Sequence, residues 1–300
     1  MKRQNIIIPT CNEFRIRTFD EYFNIFNEAH NIRFTFVCDD RGGISRKQYE
    51  TVFASLKNKD LYDVYFATDV VKDLSSTFAD CAYYDSILTE YPLSIKLLIF
   101  IWAKKFLGFD KSMLLDDDVL FLKPITQFYE ENDYARKKDS LSKLCVKSRQ
   151  ALQLTYPDFD ILQFEKARDK VNSGSIIYTW KDEHDLLGWV KKFFSSEPID
   201  KLIRIKKYEW AAGLSRALWG STWLLEQYSY GMFMHHMGMD KYAHFGNLVN
   251  TGISKASPKI SPLQVIHNIV HFLPRDKMPL YEFYLARLNK TDLQALTNSI

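Results

Sequence analysis

The chain has only four cysteines, Cys11, Cys38, Cys81 and Cys145, and no two of them form a CxxC pair. That spacing argues against structural zinc and against a disulfide framework, and leaves reduced, buried thiols as the expectation. Neither GxGxxG nor GxxxxGK occurs, which disfavours dinucleotide and P-loop chemistry. No apolar run is long. Leu97 to Ala103 is bracketed by Lys96 and by Lys104 and Lys105, well short of the roughly 18 residues a membrane span needs. The opening MKRQNIIIPT is interrupted at Pro9 and is too short for the core of a signal peptide. A soluble, cytoplasmic chain without a transmembrane segment is therefore expected. Neither charge dominates: 40 basic and 37 acidic residues leave +3, which excludes a histone-like polycation but permits a local basic groove.

What is present is ordinary globular composition. A hydrophobic fraction of 46% and a charged fraction of 26% over 300 residues give ample core without staples. No repeat, low-complexity tract or linker divides the chain, so residues 1–300 are expected to form one domain. Short apolar runs closed by turn residues mark buried strands: Ile6–Ile8 before Pro-Thr, Phe34–Val37 before Cys-Asp-Asp-Arg-Gly-Gly, Val64–Ala67 before Thr-Asp, and Met113–Leu115 before three aspartates. Helical patterns separate them at Thr18–Ala29, Ser45–Lys57 and Ser94–Leu107. The last puts Ile95, Leu98, Ile99, Trp102 and Phe106 on one face, with Gly108 as its C-cap. This alternation predicts an α/β fold with a mostly parallel central sheet and ligands at the strands' carboxyl ends. Ile125 to Arg168 reads as helical and basic, Val171–Trp180 as a strand, and the last residues as a helix after a proline-punctuated stretch.

The segment Met113–Leu122, MLLDDDVLFL, carries the strongest chemical signal. An acidic run ordinarily lies on a solvated surface, but here both flanks are apolar. A buried strand that delivers Asp116, Asp117 and Asp118 side by side is costly without a cation. If the strand continues, Asp116 and Asp118 point the same way and can share one hard divalent ion, which takes oxygen ligands and tolerates phosphates. Leu120 stands where a haloacid-dehalogenase-type DxDxT loop needs threonine, and no Gly-Ser turn precedes the cluster as a nucleotidyltransferase needs.

The order of these features resembles that of the GT-A fold glycosyltransferases, which use nucleotide-sugar donors. Pro9-Thr10 looks like the end of the family's first nucleotide-contacting strand. FTFVCDD resembles the second strand, which implies Asp39 or Asp40 at the base or ribose. LLDDDV is similar to the family's DxD strand: Asp116 would then face ribose and metal, and Asp118 would ligate the metal, Mn²⁺ or Mg²⁺. A helix bearing Lys96 precedes that strand, and Lys123-Pro124 follows it. Asn172-Ser173-Gly174 resembles the donor-sugar contact, and WLLEQ, with Trp223, Glu226 and Gln227, resembles an acidic-Gln pair closing the acceptor side. A late histidine often supplies a third metal ligand, with His244, His267 and His271 as candidates. The family's HxxGxxK pattern is not met at His244, where Phe245-Gly246 follow at once and the next lysine is Lys255. The resemblance implies a donor half, residues 1–124, an acceptor half, residues 125–300, and a UDP-sugar as the favoured donor.

Within that reading Glu226 is the candidate general base and Asp117 a second catalytic candidate, while Lys96 and Arg275 are placed to neutralise a pyrophosphate. Glu226 can equally be a helix residue paired with a lysine. His235-His236 are neighbours that point apart on a helix, which favours packing over shared ligation. Trp210, Trp219 and Trp223 suit either sugar stacking or helix packing. Arg136–Arg149, with Lys201, Arg204, Lys206 and Lys207, reads first as a solvated face. Its alternative is contact with an anionic acceptor: a glycan, a phosphorylated lipid carrier, or a hydroxymethylated base in phage or viral DNA flipped from its stack. Two other functions stay open, a metal-dependent phosphohydrolase or nuclease and a non-catalytic nucleic-acid-binding protein.

Overall fold

The computed structural model describes residues 4–23, 32–117, 119–121, 126–139, 146–166, 170–211, 225–238, 243–244 and 269–271. Asp118, Lys123-Pro124, Cys145, Trp219, Trp223, His267, Arg275 and the expected C-terminal helix lie outside them.

The strands are β1 (Gln4–Thr10), β2 (Ile32–Cys38), β3 (Tyr62–Phe66), β4 (Lys111–Leu115), β5 (Val119–Phe121), β6 (Tyr134–Asp139), β7 (Lys170–Thr179), β8 (Ala243–His244) and β9 (Ile269–His271). Seven form one sheet in the order β3-β2-β1-β4-β7-β6-β8. The pairs β1–β2, β1–β4, β2–β3 and β6–β8 are parallel, and β7 alone runs against its neighbours β4 and β6. The chain thus has the expected α/β architecture with a mostly parallel sheet. β5 leaves that sheet and pairs antiparallel with β9.

Alternate residues of the central strands enter two cores. Ile6, Ile8, Phe34, Phe36, Met113 and Leu115 face α1 (Glu13–Phe23) and α2 (Arg46–Ala54), while Ile7, Val37, Leu114 and Ile176 face the other layer. That second layer is built from α3 (Ala67–Leu74), α4 (Tyr84–Glu90), α5 (Ile99–Phe106), α9 (Leu186–Phe194) and α11 (Leu225–His236). Strands covered on both faces read as continuous apolar runs, which is why these were recognisable. Edge-to-face rings seal the first core, with Phe19–Phe34 centroids at 5.2 Å and Phe36–Tyr62 at 5.3 Å. The remaining helices are α6 (Thr126–Glu131), α7 (Val146–Thr155), α8 (Ile161–Lys166) and α10 (Glu197–Ala211).

Several boundaries depart from expectation for physical reasons. β1 runs through Pro9 to Thr10, because its ladder with β4 ends at Ile7 and the proline interrupts no bond there. The first helix starts at Glu13, ahead of the expected Thr18. α2 begins where its capping box dictates, with Ser45 and Gln48 exchanging side-chain and backbone bonds. The expected helix over Ser94–Leu107 is a 3-10 turn over Pro92–Leu98 followed by α5; Phe106 is exposed, and Gly108 closes the end at φ +72. The stretch from Ile125 to Arg168 is not wholly helical: Tyr134–Asp139 is a strand, because β7 offers it a partner.

Candidate active site at the sheet's switch point

β1 and β4 are neighbours, but the chain goes from β1 outward to β2 and β3 before returning to β4. Such a reversal leaves a crevice at the carboxyl ends of the two strands. Thr10 ends one strand, and Asp116-Asp117 follow the other.

β4 stops at Leu115, so turn geometry rather than strand alternation presents the aspartates, and the expected continuation of the strand is corrected. The turn is pinned on both sides. Asp116 N donates to Gly174 O at 2.8 Å. Asp117 is buried and accepts from Thr10 Oγ1 at 2.7 Å and from Arg15 Nη1 at 2.5 Å. Asp117, expected among the catalytic groups, therefore points inward as an anchor. Asp116 stays half-buried and pairs with the Lys96 ammonium.

The other implied donor contacts gather nearby. Asp39 N donates to Thr10 O at 2.7 Å, and its carboxylate holds Arg41 through Nε at 2.8 Å and Nη2 at 3.0 Å. Arg41 reaches on to the carbonyls of Leu88 and Pro92, tying the end of β2 to the turn that carries Lys96. Asp40 faces away: it accepts from Thr68 N and Oγ1 and from Arg46 Nε. Burial pushes its pKa up, but those bonds outweigh burial and hold it below the ordinary value. Of the two candidates, Asp39 is the one at the mouth. Cys11 is exposed there, and its thiol pKa is raised, first by desolvation and then by Asp117 and Asp39 against Arg15 and Lys96.

Glu226 and Gln227 begin α11 and are buried. The Tyr91 hydroxyl donates to Glu226 Oε2, and Tyr230 Oη donates to Lys96 O at 2.7 Å, so this helix is bonded to the Lys96 turn. Burial raises the Glu226 pKa, opposed by Lys96 and Tyr91.

Asn172, Ser173 and Gly174 lie in β7 at a register break. Arg136 pairs with Ile176, but the next residue, Lys137, pairs with Asn172, leaving Ser173–Ser175 outside the β6 ladder beside the aspartate turn. Bulges of this kind recur beside functional sites.

The late histidines separate by register. His244 in β8 stands opposite Arg136, on the far side of the sheet from β4. His271 stands opposite Val119, one residue past Asp118. Of the three, His271 is the one whose strand pairs beside the aspartate segment, and in the sequence Lys277 follows it at the HxxGxxK spacing, with Pro274 in the glycine's place. Among the described residues no three His, Cys, Asp or Glu groups converge on one point. Asp118 and the side chains of all three late histidines are outside that set. A carboxylate pair with one residue between, plus an imidazole, is a donor set that suits Mn²⁺ or Mg²⁺.

Sequence reasoning missed Arg15, Tyr91 and Arg41. Arg15 had a weak signal, its place in the helix following β1. His235 and His236 pack on rings, with His235–Phe164 at 5.7 Å and His236–Trp189 at 5.5 Å. Among the basic residues on the helices, Lys201 pairs with Glu197 in solvent, while Arg204 and Arg149 pair with the buried carboxylates of Asp200 and Glu165, so only the first of these pairs lies on a fully solvated face. Among the described residues no helix is long and apolar enough to cross a membrane.

No protein-family model matches the chain, and no curated protein matches it. Several solved structures are similar, and they are glycosyltransferases. GlyE of Streptococcus pneumoniae TIGR4 is 13% identical with a TM-score of 0.42, over 100% of this chain and 63% of that one. This chain therefore spans less than two thirds of the length of GlyE. The galactosyltransferase LgtC, solved with donor and acceptor sugar analogues, is 13% identical with a TM-score of 0.37, over 99% and 96% of the two chains. Core-mannan synthase A of Aspergillus fumigatus, in its Mn/GDP form, is 13% identical with a TM-score of 0.35, over 78% and 70%. The likeness is remote, and the chemistry has to come from this chain's own residues.

Proposed function

We propose that this chain is a metal-dependent glycosyltransferase that moves a sugar from a nucleoside diphosphate, UDP being favoured, to an acceptor hydroxyl. The observation that carries the reading is the meeting of Thr10 and Arg15 with the Asp116-Asp117 turn at the switch point, with Lys96 on the turn's other side. A crevice that offers both carboxylates and fixed cations suits a diphosphate and its counter-ion. Asp116, Asp118 and His271 would hold a divalent cation, which supplies Lewis-acid charge to the departing phosphates.

The chain's residues supply the rest. Asp39 and Thr10 line the nucleoside side. Lys96 and Arg15 place positive charge where the leaving group gains negative charge as its bond to the anomeric carbon breaks. Gly174 and its bulge form the wall beside the sugar, and the acceptor's oxygen forms the new bond from the side of Gln227, its proton passing to the departing diphosphate. Glu226 is enclosed, with Tyr91 on its Oε2. We therefore assign it to the electrostatic surroundings of Lys96 rather than to taking the acceptor's proton. Residues 1–124 serve as the donor half and 125–300 as the acceptor half.

Calorimetric titration of UDP and GDP, with and without Mn²⁺, tests the reading. One diphosphate should bind only with the metal and be lost in Asp118→Ala. If neither binds, the transferase reading fails, and release of phosphate without sugar transfer would point to a phosphohydrolase instead.

A further inference from the structure

Lys96 is bonded to one carboxylate and acts electrostatically on a second. Its ammonium pairs with Asp116, and its charge also acts on Glu226. The surroundings are closed: Lys96 is 9% exposed and Glu226 1%. The lysine is held at its root, where Tyr230 bonds its carbonyl, and Glu226 is held by Tyr91 from 135 positions away. Backbone and acceptor are therefore fixed, and the flexible four-carbon stem is the part free to redirect the charge.

We infer that Lys96 couples cation binding to diphosphate binding by competing with the cation for Asp116. The inference rests on the reading of the site proposed above. An ammonium and a divalent cation repel each other at one carboxylate, so a cation bound by Asp116 must turn Lys96 away. Glu226 gives the displaced charge one destination inside the protein, and a diphosphate gives it a better one. Cation and diphosphate then favour each other, and by linkage the effect is equal in both directions.

Two substitutions act with opposite sign. Lys96→Met removes the competitor, so Mn²⁺ alone should bind about tenfold more tightly, and UDP should improve that binding about tenfold less than it does in the wild type. Glu226→Gln removes the alternative partner, so Lys96 holds Asp116 harder and Mn²⁺ alone should bind several-fold more weakly. General loosening of the fold weakens both and cannot produce opposite signs. The readout is free Mn²⁺ by electron paramagnetic resonance, with and without saturating UDP, on the full chain. In the wild type, UDP should tighten Mn²⁺ by roughly a hundredfold, of which Lys96 supplies about tenfold.

Lys96→Met binding Mn²⁺ no more tightly than wild type overturns the inference, as does a shift of both variants in one direction. If Lys96→Met does not fold, Lys96→Gln is read in its place, and an Mn²⁺ affinity no tighter than wild type overturns the coupling. Wild type that binds UDP with Mn²⁺ but shows no Lys96 effect sinks the coupling alone. Wild type that binds neither sinks the proposed function with it.

Discussion

Replacing Thr10 with valine removes one oxygen and keeps the side chain's shape. That hydroxyl is buried, donates to Asp117 at 2.7 Å and accepts from Asn12 N at 3.3 Å. A hydrogen bond to an ionised partner contributes about 1.5–3 kcal/mol, and the longer contact adds little, so the loss should be about 2 kcal/mol. Arg15 remains on the other carboxylate oxygen, which prevents the larger cost of an unpaired buried charge. In a chain of this size a loss of that order lowers the melting midpoint by about 4 °C. Scanning calorimetry of Thr10→Val, Asp117→Asn and the double variant measures it. Because the hydroxyl acts on Asp117, the double variant should cost about 1 kcal/mol less than the two singles together. Strict additivity, or a midpoint within about 1 °C of wild type, would refute the claim that Thr10 pins the turn. Metal-dependent UDP binding should weaken alongside, since Asp116 belongs to the same turn.

Other perturbations test the frame around the site. Asp185 caps α9 at φ 30, its side chain accepting from Gly188 N at 2.9 Å, and a Cβ on Gly188 would lie 2.2 Å from Asp185 Oδ2. Gly188→Ala should displace the cap and cost about 1 kcal/mol in urea denaturation, with Asp185→Ala adding little on top. Asp40, with its folded pKa held below the ordinary value, binds its proton less tightly when folded than when unfolded. Its contribution is present above the ordinary aspartate range and fades as pH falls through the lowered value. Asp40→Asn should therefore be less stable than wild type at about pH 7, with a gap that narrows as the pH falls below the ordinary aspartate range; denaturation across that range measures it, and a constant gap would contradict this.

What could be read from the sequence was what local chemistry determines. β1, β2 and β4 announced themselves because apolar residues fill both faces and turn residues close them. Asp116 was recognisable from its apolar flanks. β6 was not, because Arg136, Lys137 and Lys138 carry no strand preference of their own and are extended by pairing with β7. Asp117 was expected among the catalytic groups, and its bonds to Thr10 and Arg15 span 107 and 102 positions, beyond any local pattern. Tyr91 and Arg15 entered the site through contacts 135 and 102 positions away, which no local pattern encodes. That β5 takes the strand of His271 as its partner was likewise invisible locally.

The pairing of β5 with β9 also has a temporal side. Residues 119–121 leave the ribosome long before 269–271, so the strand beside the aspartate turn must wait for most of the chain before it finds its partner. Pairing so distant in sequence is slow to nucleate. A nascent chain can complete the parallel strands early and yet lack the segment that carries His271. Whatever β9 contributes beside the turn is therefore withheld until residue 271 has been made.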